Sequence, residues 1–459
     1  MQKLDFFETL LRIFAPEMVK EFILTIKNQL RSKMAGDVMW TFVGQVLVLL
    51  AAFALNKVLS VRLDVDTFGE YNLIKRSVTV VSFVMLAGTG IALPRYLAIY
   101  IGQNNLARAK AFVRAAILFV ITATVVVCVV AIIFKSKLYP LVTGRDDIAL
   151  YIIAFAYSAV LTASTIVYVY FRGKNDFKRF SISNVLIQLL LPVSALIIPG
   201  INPFNIFFWW TIITAAITIL FALGETIRGG LGCKEKVSKS DVKAEYKTVA
   251  KYALPRLWGD FFLFAFQAFP LVFISQHFDY KSVSYYSVGI TIITLGTAFY
   301  SFLGYVLLPY VSKCLANGKI NDAVRKVNIF TIIYVLSALA LMAVFYFLTG
   351  FMIKLLFTDE YLAAEHITQI MILAILPQAL YLLYRNPVDA ISVFPFNTII
   401  LGVAFGGLVG AFYMANTIEG LAWGYVAVSW LQGVLSCGVW NVLKKKSLLS
   451  GNKETNKYI

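Results

Sequence analysis

Residues 115–134 read AAILFVITATVVVCVVAIIF, twenty consecutive residues without a charged side chain. A helix needs about 20 mainly apolar residues to cross a bilayer, so this stretch predicts a membrane-spanning helix. Similar apolar runs recur along the 459-residue chain, and short connections rich in Lys, Arg, Asp, Asn, Gly and Pro separate them. The alternating segments of roughly ten residues that are typical of transmembrane barrels do not occur in the sequence. We therefore predict an all-α polytopic membrane protein.

The composition excludes several classes of protein. Hydrophobic residues make up 60% of the chain and charged residues only 14%, whereas soluble domains average roughly 45–50% and about 25%. A soluble enzyme, a disordered protein and a nucleic-acid binder are therefore excluded. The two histidines and four cysteines show no metal-binding or CxxC spacing. Because GxSxG, HExxH and P-loop motifs are also missing from the sequence, we expect neither an enzyme nor a metal site, and no cofactor.

The positions of Lys and Arg predict the orientation of the chain. Of the 41 cationic residues, 31 fall in one set of connections and six in the opposite set. Cytoplasmic loops carry an excess of Lys and Arg, so both termini are expected in the cytoplasm. The connections separate twelve predicted spans, which lie near residues 38–59, 72–93, 112–134, 148–170, 180–199, 205–224, 251–275, 284–308, 328–350, 366–385, 394–414 and 419–442.

A weak internal repeat divides the chain into two halves. Tyr71 and Pro94 recur as Tyr286 and Pro309 at an offset of 215. A Gly-Asn-Ala-Lys pattern that begins at Gly102 recurs in the second half at an offset of 216. We predict two pseudo-symmetric six-helix lobes, with a substrate site between them. The predicted parts are a cytoplasmic amphipathic N-terminal arm (1–36), an N-lobe (37–224), a basic cytoplasmic linker (225–250), a C-lobe (251–443) and a basic cytoplasmic tail (444–459).

The N-terminal arm has the pattern of a basic amphipathic helix. Between residues 17 and 33, apolar side chains recur at helical spacing on one face and cations decorate the others. Such a helix fits the anionic inner leaflet. A solvated arm is the alternative.

Cations at membrane depth are the first candidate site residues. An ionisable group there is costly and usually faces a polar cavity. Lys75 and Arg76 lie about one turn inside the second span, so they either line a cavity or snorkel to the outer interface. Lys57, next to Asn56, is either a cavity residue or an interfacial anchor. Arg95, after Pro94, is either an anchor or a phosphate contact at the inner mouth.

The seventh span carries the other candidates. Arg256 and Asp260 are four residues apart, on one face of a helix, where they can pair. The alternatives are a structural ion pair and a role in substrate binding or ion coupling. Asp260 is the one acidic residue that lies well inside a predicted span, which makes it the candidate for an H⁺ or Na⁺ site. We expect Arg385 and Asp389, at the end of the tenth span, to cap helices.

Three stretches resemble one family. They are Phe68-Gly-Glu-Tyr-Asn-Leu-Ile-Lys-Arg76, Gly88-Thr-Gly-Ile-Ala-Leu-Pro-Arg-Tyr96 and Leu254-Pro-Arg-Leu-Trp-Gly-Asp260. Together with the six-plus-six plan, they resemble the polysaccharide-exporter branch of the multidrug/oligosaccharidyl-lipid/polysaccharide (MOP) superfamily, which includes the Wzx-type O-antigen flippases. The resemblance extends over residues 34–443.

The resemblance implies a function and partners. The protein would move a polyprenyl-diphosphate-linked oligosaccharide, such as an O-antigen repeat unit, across the bacterial inner membrane by alternating access. Polysaccharide polymerase and chain-length proteins are then implied partners, along with membrane lipid. A diphosphate needs cationic partners, and the candidates are Arg76, Lys75, Arg256, Arg95 and Lys57.

Two other functions are alternatives to the flippase. An ion-coupled multidrug or small-solute antiporter of the same fold is the main alternative. A cavity for cationic drugs should be acidic and aromatic, whereas the charge within the predicted spans is mostly positive. A membrane-embedded glycan polymerase would need a sizeable outer loop, and the predicted outer loops are short.

Overall fold

The computed structural model describes residues 33–230, 237–316, 320–392 and 394–449. The predicted amphipathic arm therefore lies almost entirely outside the described residues. Those residues form helices and short connections, without strands in the described ranges. The helices are α1 (Lys33–Arg62), α2 (Val65–Leu86), α3 (Thr89–Gly102), α4 (Leu106–Ile133), α5 (Lys135–Val142), α6 (Ile148–Gly173), α7 (Phe177–Ile197), α8 (Pro203–Ile227), α9 (Lys239–His277), α10 (Tyr280–Ala316), α11 (Ile320–Phe347), α12 (Thr349–Leu356), a 3-10 helix (Asp359–Ala364), α13 (Glu365–Ile372), α14 (Ile375–Ile391), α15 (Phe396–Met414) and α16 (Ile418–Leu449).

The all-α membrane fold is confirmed. Nine helices of the described residues are long and apolar enough to cross a membrane, and the number rises to eleven if two bent pairs each count as one span. The predicted span at 284–308 lies within the 37-residue helix α10, which is not among these eleven. Each of the twelve predicted spans thus coincides with a helix or a bent helix pair. We call the end of the bundle with the cation-rich connections the inner end and the opposite end the outer end.

In the first bent pair, α2 meets α3 at an angle of 43°. In the second, the 3-10 helix and α13 together meet α14 at an angle of 48°. The first bend falls at Ala87 and Gly88, whose φ angles are 48° and 76°. Gly88 is required here because a Cβ would collide with the backbone of Ala253 on α9. Pro192 lies inside the continuous helix α7.

The same helix pairings recur in both halves of the chain. In the first half α6 packs against α2 and α8, and α1 packs against α7. In the second half α14 packs against α10 and α16, and α9 packs against α15. These are corresponding pairs in the order of the predicted spans. The two-lobe arrangement is therefore confirmed, although the bends in the second and tenth spans have no counterpart in the other lobe.

Helix α9 belongs to both lobes. It begins at Lys239, so residues 239–250, which we expected in the linker, form its first turns. The helix starts there because Ser238 caps it and Asp241 completes a capping box. Its first half buries Val249 and Ala253 against α3 and α4 of the N-lobe, while its second half packs against α15 of the C-lobe.

Candidate functional site

Two adjacent cations lie on α2 where the lobes meet. Lys75 and Arg76 are half-buried, about three turns from the start of the helix. The ammonium group of Lys75 lies 5.5 Å from the centre of the Tyr71 ring, one turn earlier. The guanidinium of Arg76 crosses to the C-lobe and donates a hydrogen bond to Oε1 of Gln267 on α9. Arg76 therefore contacts the opposite lobe, whereas Lys75 contacts an aromatic ring of its own helix.

The C-lobe side of this interface carries amides and phenols. Gln378 on α14 donates a hydrogen bond from Nε2 to the hydroxyl oxygen of Tyr425 on α16, at 2.9 Å. Tyr425 also interacts electrostatically with Arg76. The buried hydroxyl of Tyr71 has no hydrogen-bond partner among the described residues, and such hydroxyls are rare in protein interiors. We call this group of residues the central site: Tyr71, Lys75, Arg76, Gln267, Gln378 and Tyr425.

Carboxylates do not compensate the cations of the central site. In the part of the chain that the structure describes, Lys75 and Arg76 take part in none of the ion pairs. Their electrostatic partners are each other and the phenols of Tyr71 and Tyr425. Charges removed from water without a counter-charge are costly, so a bound anion would stabilise this arrangement. A guanidinium next to an ammonium can hold a phosphate group by charge-assisted hydrogen bonds.

Two more of the predicted cations meet at one aromatic ring near the inner end. The guanidinium carbon of Arg256 lies 3.7 Å from the ring centre of Tyr252, and that of Arg95 lies 5.0 Å from it. Arg95 also donates a hydrogen bond from Nη1 to the Tyr252 hydroxyl, at 2.7 Å. Arg95 comes from α3 of the N-lobe and Arg256 from α9. We call Arg95 and Arg256 the inner cation pair.

The expected pair of Arg256 with Asp260 does not form. Arg256 instead donates from Nη1 to the backbone oxygen of Tyr252, at 3.0 Å. Side chains on a helix lean toward its N-terminus, so an arginine reaches residue i−4 more readily than residue i+4. Arg385 on α14 interacts more strongly with the Asp260 carboxylate than Arg256 does.

Asp260 lies in a charged cluster inside the C-lobe. Asp389 on α14 accepts a hydrogen bond of 2.7 Å from Nδ2 of Asn397, which also donates to the backbone oxygen of Arg385 at 3.0 Å. We expected Arg385 and Asp389 to cap helices at the end of the tenth span. That expectation is wrong because α14 continues to Ile391 and carries both residues within it. We call Asp260, Arg385, Asp389 and Asn397 the C-lobe cluster.

Lys57 does not lie in the central site. Its ammonium group donates hydrogen bonds to the backbone oxygens of Lys354, at 2.9 Å, and of Phe357. Both carbonyls belong to the C-terminal end of α12, where a helix presents unpaired acceptors and partial negative charge. Lys57 of α1 therefore ties the N-lobe to the C-lobe at the outer end. Neither of the two predicted roles, cavity residue or interfacial anchor, describes this contact.

Further contacts close the lobes on each other at the outer end. The hydroxyl of Ser284 on α10 donates a hydrogen bond to the backbone oxygen of Val65, the first residue of α2. The ring of Phe68 meets that of Tyr361 edge-on, with 5.3 Å between their centres. At Gly69 a Cβ would collide with the backbone oxygen of Tyr280, so glycine permits this close approach. These interactions leave α2 in contact with the C-lobe along its first turn and a half.

An ion pair between a buried carboxylate and an exposed arginine, which the sequence did not indicate, lies in the same region. Arg145 donates hydrogen bonds from Nε to Oε1 of Glu70, at 2.6 Å, and from Nη2 to Oε2, and the Glu70 side chain is 3% exposed. This hydrogen bonding raises the pKa of Arg145 above its ordinary value. Glu70 lies just before the predicted second span and Arg145 in an outer loop, and no spacing in the sequence links them.

The chain is similar to a family model and to solved structures of transporters. The MatE family model matches residues 257–413. An inward-facing multidrug resistance transporter of the MATE family and MOP superfamily is 12% identical, over 88% of this chain and 96% of that one, with a TM-score of 0.73. An outward-facing MATE family multidrug transporter is 12% identical, over 89% and 95%, with a TM-score of 0.59. No curated protein matches the chain.

A third similar structure differs in the polarity of its pocket. It is a MOP superfamily transporter from Pyrococcus furiosus, described as having a binding pocket of reverse polarity that suggests a different function. It is 12% identical, over 91% of this chain and 95% of that one, with a TM-score of 0.66. The chain therefore has the fold of MATE transporters of the MOP superfamily, and the proteins named here with that fold are transporters. The comparisons do not support the polysaccharide-exporter branch in particular.

Proposed function

We propose that this protein is a flippase that moves a polyprenyl-diphosphate-linked oligosaccharide across the bacterial inner membrane. The observation that carries the proposal is the uncompensated pair Lys75 and Arg76 in the central site. A diphosphate supplies the negative charge that this pair lacks, and the surrounding amides and phenols suit the hydroxyl groups of sugars. The polyprenyl tail would remain in the lipid while the headgroup passes between the lobes.

The inner cation pair gives the headgroup a first contact on its way to the central site. Arg95 is exposed and Arg256 half-buried, and both lie on the inner side of the central site. The phosphate oxygens of an anionic headgroup would replace the Tyr252 ring as the partner of these guanidiniums. The headgroup would then reach Arg76 on α2, which lies nearer the outer end.

We infer that the structure represents the inward-facing state of the transport cycle. The contacts of Lys57, Ser284 and Gly69 close the outer end. In agreement, the TM-score is 0.73 for the inward-facing transporter and 0.59 for the outward-facing one. A state that receives cargo from the cytoplasmic leaflet must open at the inner end. The predicted cytoplasmic position of both termini can be tested by reporters fused to each end.

The C-lobe cluster is the candidate for coupling to H⁺ or Na⁺. Asp260 on α9 and Asp389 on α14 supply two carboxylates to this cluster, and Arg385 and Asn397 are its other members. Protonation or cation binding there would change how α9 and α14 pack. Helix α9 also carries Gln267, the partner of Arg76, which connects the cluster to the central site.

An ion-coupled multidrug antiporter is the second candidate function. Two of the similar structures are described as multidrug resistance transporters, and the central site is rich in tyrosine. Aromatic rings attract organic cations. The two alternatives therefore predict opposite charges for the cargo.

Reconstituted transport of labelled cargo distinguishes these functions. The purified protein is placed in liposomes that contain a fluorescent short-chain polyprenyl diphosphate sugar, and its movement between leaflets is followed with a membrane-impermeant quencher. We expect Arg76→Gln to slow this movement by about tenfold or more, because a hydrogen bond to a charged group contributes roughly 1.5–3 kcal/mol. The matched control is Arg172→Gln, which removes one exposed cation at the inner end of α6.

Two results would contradict the proposed flippase. One is transport of the lipid diphosphate at the same rate by Arg76→Gln and Arg172→Gln. The other is proton-driven uptake of a cationic dye that the lipid diphosphate does not inhibit, which would favour the antiporter.

In cells, loss of the protein should strand lipid-linked oligosaccharide on the cytoplasmic leaflet. Pull-down of the protein from membranes that contain it would test the polymerase and chain-length proteins as partners.

A further inference from the structure

A groove lies between α4 and the first two turns of α9 at the inner end, and most of the residues that line it are exposed. Its volume is about 540 Å³, larger than that of any single side chain. Its walls come from two helices that belong to different halves of the chain. The residues that line it are Arg114, Leu118, Thr122, Val237, Lys239, Val242, Lys243 and Tyr246.

The charged side chains of the groove are all cations. Arg114 projects from α4, and Lys239 and Lys243 from α9, one turn apart. In the described part of the chain none of the three takes part in an ion pair. They are exposed, so their charges act on whatever occupies the groove.

The two acidic residues of this part of α9 are held elsewhere. Asp241 accepts a hydrogen bond of 3.3 Å from the backbone nitrogen of Ser238 in the capping box. Glu245 is buried and accepts hydrogen bonds from Tyr100, at 3.0 Å, and from Arg108, at 2.6 Å. Neither carboxylate lines the groove, so its three cations are not neutralised.

The floor of the groove is apolar. Leu118 lies one turn beyond Arg114 on the same face of α4, toward the centre of the membrane. Val242 and Tyr246 form the facing wall, and the Tyr246 ring packs edge-on against Phe119 with 5.4 Å between the ring centres. Cations therefore stand at the level of the headgroups, and apolar side chains continue into the bilayer.

We propose that this groove binds an anionic phospholipid of the cytoplasmic leaflet. The phosphate lies between Arg114, Lys239 and Lys243, and an acyl chain lies along Leu118 and Tyr246. Basic pockets between helices on the cytoplasmic side are suited to such headgroups. The site is distinct from the central site and does not depend on which cargo is carried. A lipid bound here bridges α4 and α9 and stabilises their packing.

Native mass spectrometry of the detergent-purified protein tests the site. The protein is mixed with phosphatidylglycerol or phosphatidylcholine of the same chain length, and the retained lipids are counted. The test variant is Lys239→Gln/Lys243→Gln. The control is Lys247→Gln/Lys251→Gln, which removes the same charge from exposed positions of the same helix that do not line the groove.

We expect one phosphatidylglycerol molecule to be retained in preference to phosphatidylcholine, and about twenty-five-fold weaker binding in the test variant. This figure assumes roughly a fivefold contribution from each of two cations near the membrane surface. The control variant and Arg76→Gln should retain the lipid as the unaltered protein does. Equal retention by the two double variants would overturn the site. Displacement of phosphatidylglycerol by an equal concentration of polyprenyl diphosphate would overturn its assignment to a phospholipid.

Discussion

Replacing Lys57 with methionine should open the outer end of the transporter. The ammonium group donates two hydrogen bonds across the lobe interface, to the carbonyls of Lys354 and Phe357 at the end of α12. Methionine keeps the length and apolar stem of the side chain but removes the donors and the charge. A hydrogen bond to a charged group contributes roughly 1.5–3 kcal/mol. Since one of these bonds is exposed, about 2 kcal/mol is a reasonable loss for the pair.

A loss of about 2 kcal/mol changes the ratio of outer-closed to outer-open molecules by about thirtyfold. If that ratio is about 100 to 1 in the unaltered protein, it falls to roughly 3 to 1 in Lys57→Met. The outer-open population then rises from about 1% to about a quarter of the molecules, which is measurable.

The assay measures the distance between spin labels at the outer end. A cysteine-free background carries Asp146→Cys in the N-lobe and Glu360→Cys in the C-lobe, both at exposed positions. Double electron–electron resonance should show a second, longer distance in Lys57→Met. The control is Lys354→Met, which loses only an exposed contact of 3.4 Å with Asp359, and such pairs contribute little. Identical distance distributions for the two variants would refute the role of Lys57 in closing the outer end.

Three further predictions concern coupling and stability. Asp260→Asn should reduce transport and its dependence on H⁺ or Na⁺, and unchanged transport with unchanged ion dependence would remove Asp260 as the coupling site. Glu245→Gln should lower the free energy of unfolding by about 2 kcal/mol, measured by thermal denaturation, because a buried acceptor loses its charge; Asp241→Asn, at the exposed helix cap, should lose less. Gly88→Ala should cost roughly 1–3 kcal/mol for the positive φ alone, whereas Gly102→Ala, with open space around its Cβ position, should cost little.

Much of the fold could be predicted because its signals are local. Apolar runs of about 20 residues locate the spans. The start of α9 could not be found in this way. Residues 239–250 are polar and basic, which indicates a linker, yet a capping box starts a helix there and Val249 and Ala253 bury it against the N-lobe. Packing against a segment distant in sequence makes residues 239–250 helical, and a hydropathy pattern does not contain that information.

The site was predictable in its charges and not in its neutral partners. Lys75 and Arg76 stood out because ionisable groups are rare at membrane depth. Gln267 and Tyr425 carry no such signal, since uncharged polar side chains are common in helices of this kind. The C-lobe cluster was missed for a different reason. The tenth span was predicted to end at Arg385, which put Asp389 in a turn. Because α14 continues for almost two more turns, both residues lie on one helix, and the predicted boundary gave no indication of the cluster.

The position of α9 restricts how the lobes can move. Its first half, up to Ala253, packs on α3 and α4, and its second half packs on α15. The second half also contacts α2, where the Phe264 ring stacks on that of Phe83, so relative movement of the lobes must either break those contacts or bend α9 between Ala253 and Gln267. Pro255 lies in that stretch and removes one backbone hydrogen bond of the helix, which makes bending least costly there. Arg256 follows it directly, so a bend at Pro255 would alter the inner cation pair at the same moment as it opens or closes the inner end.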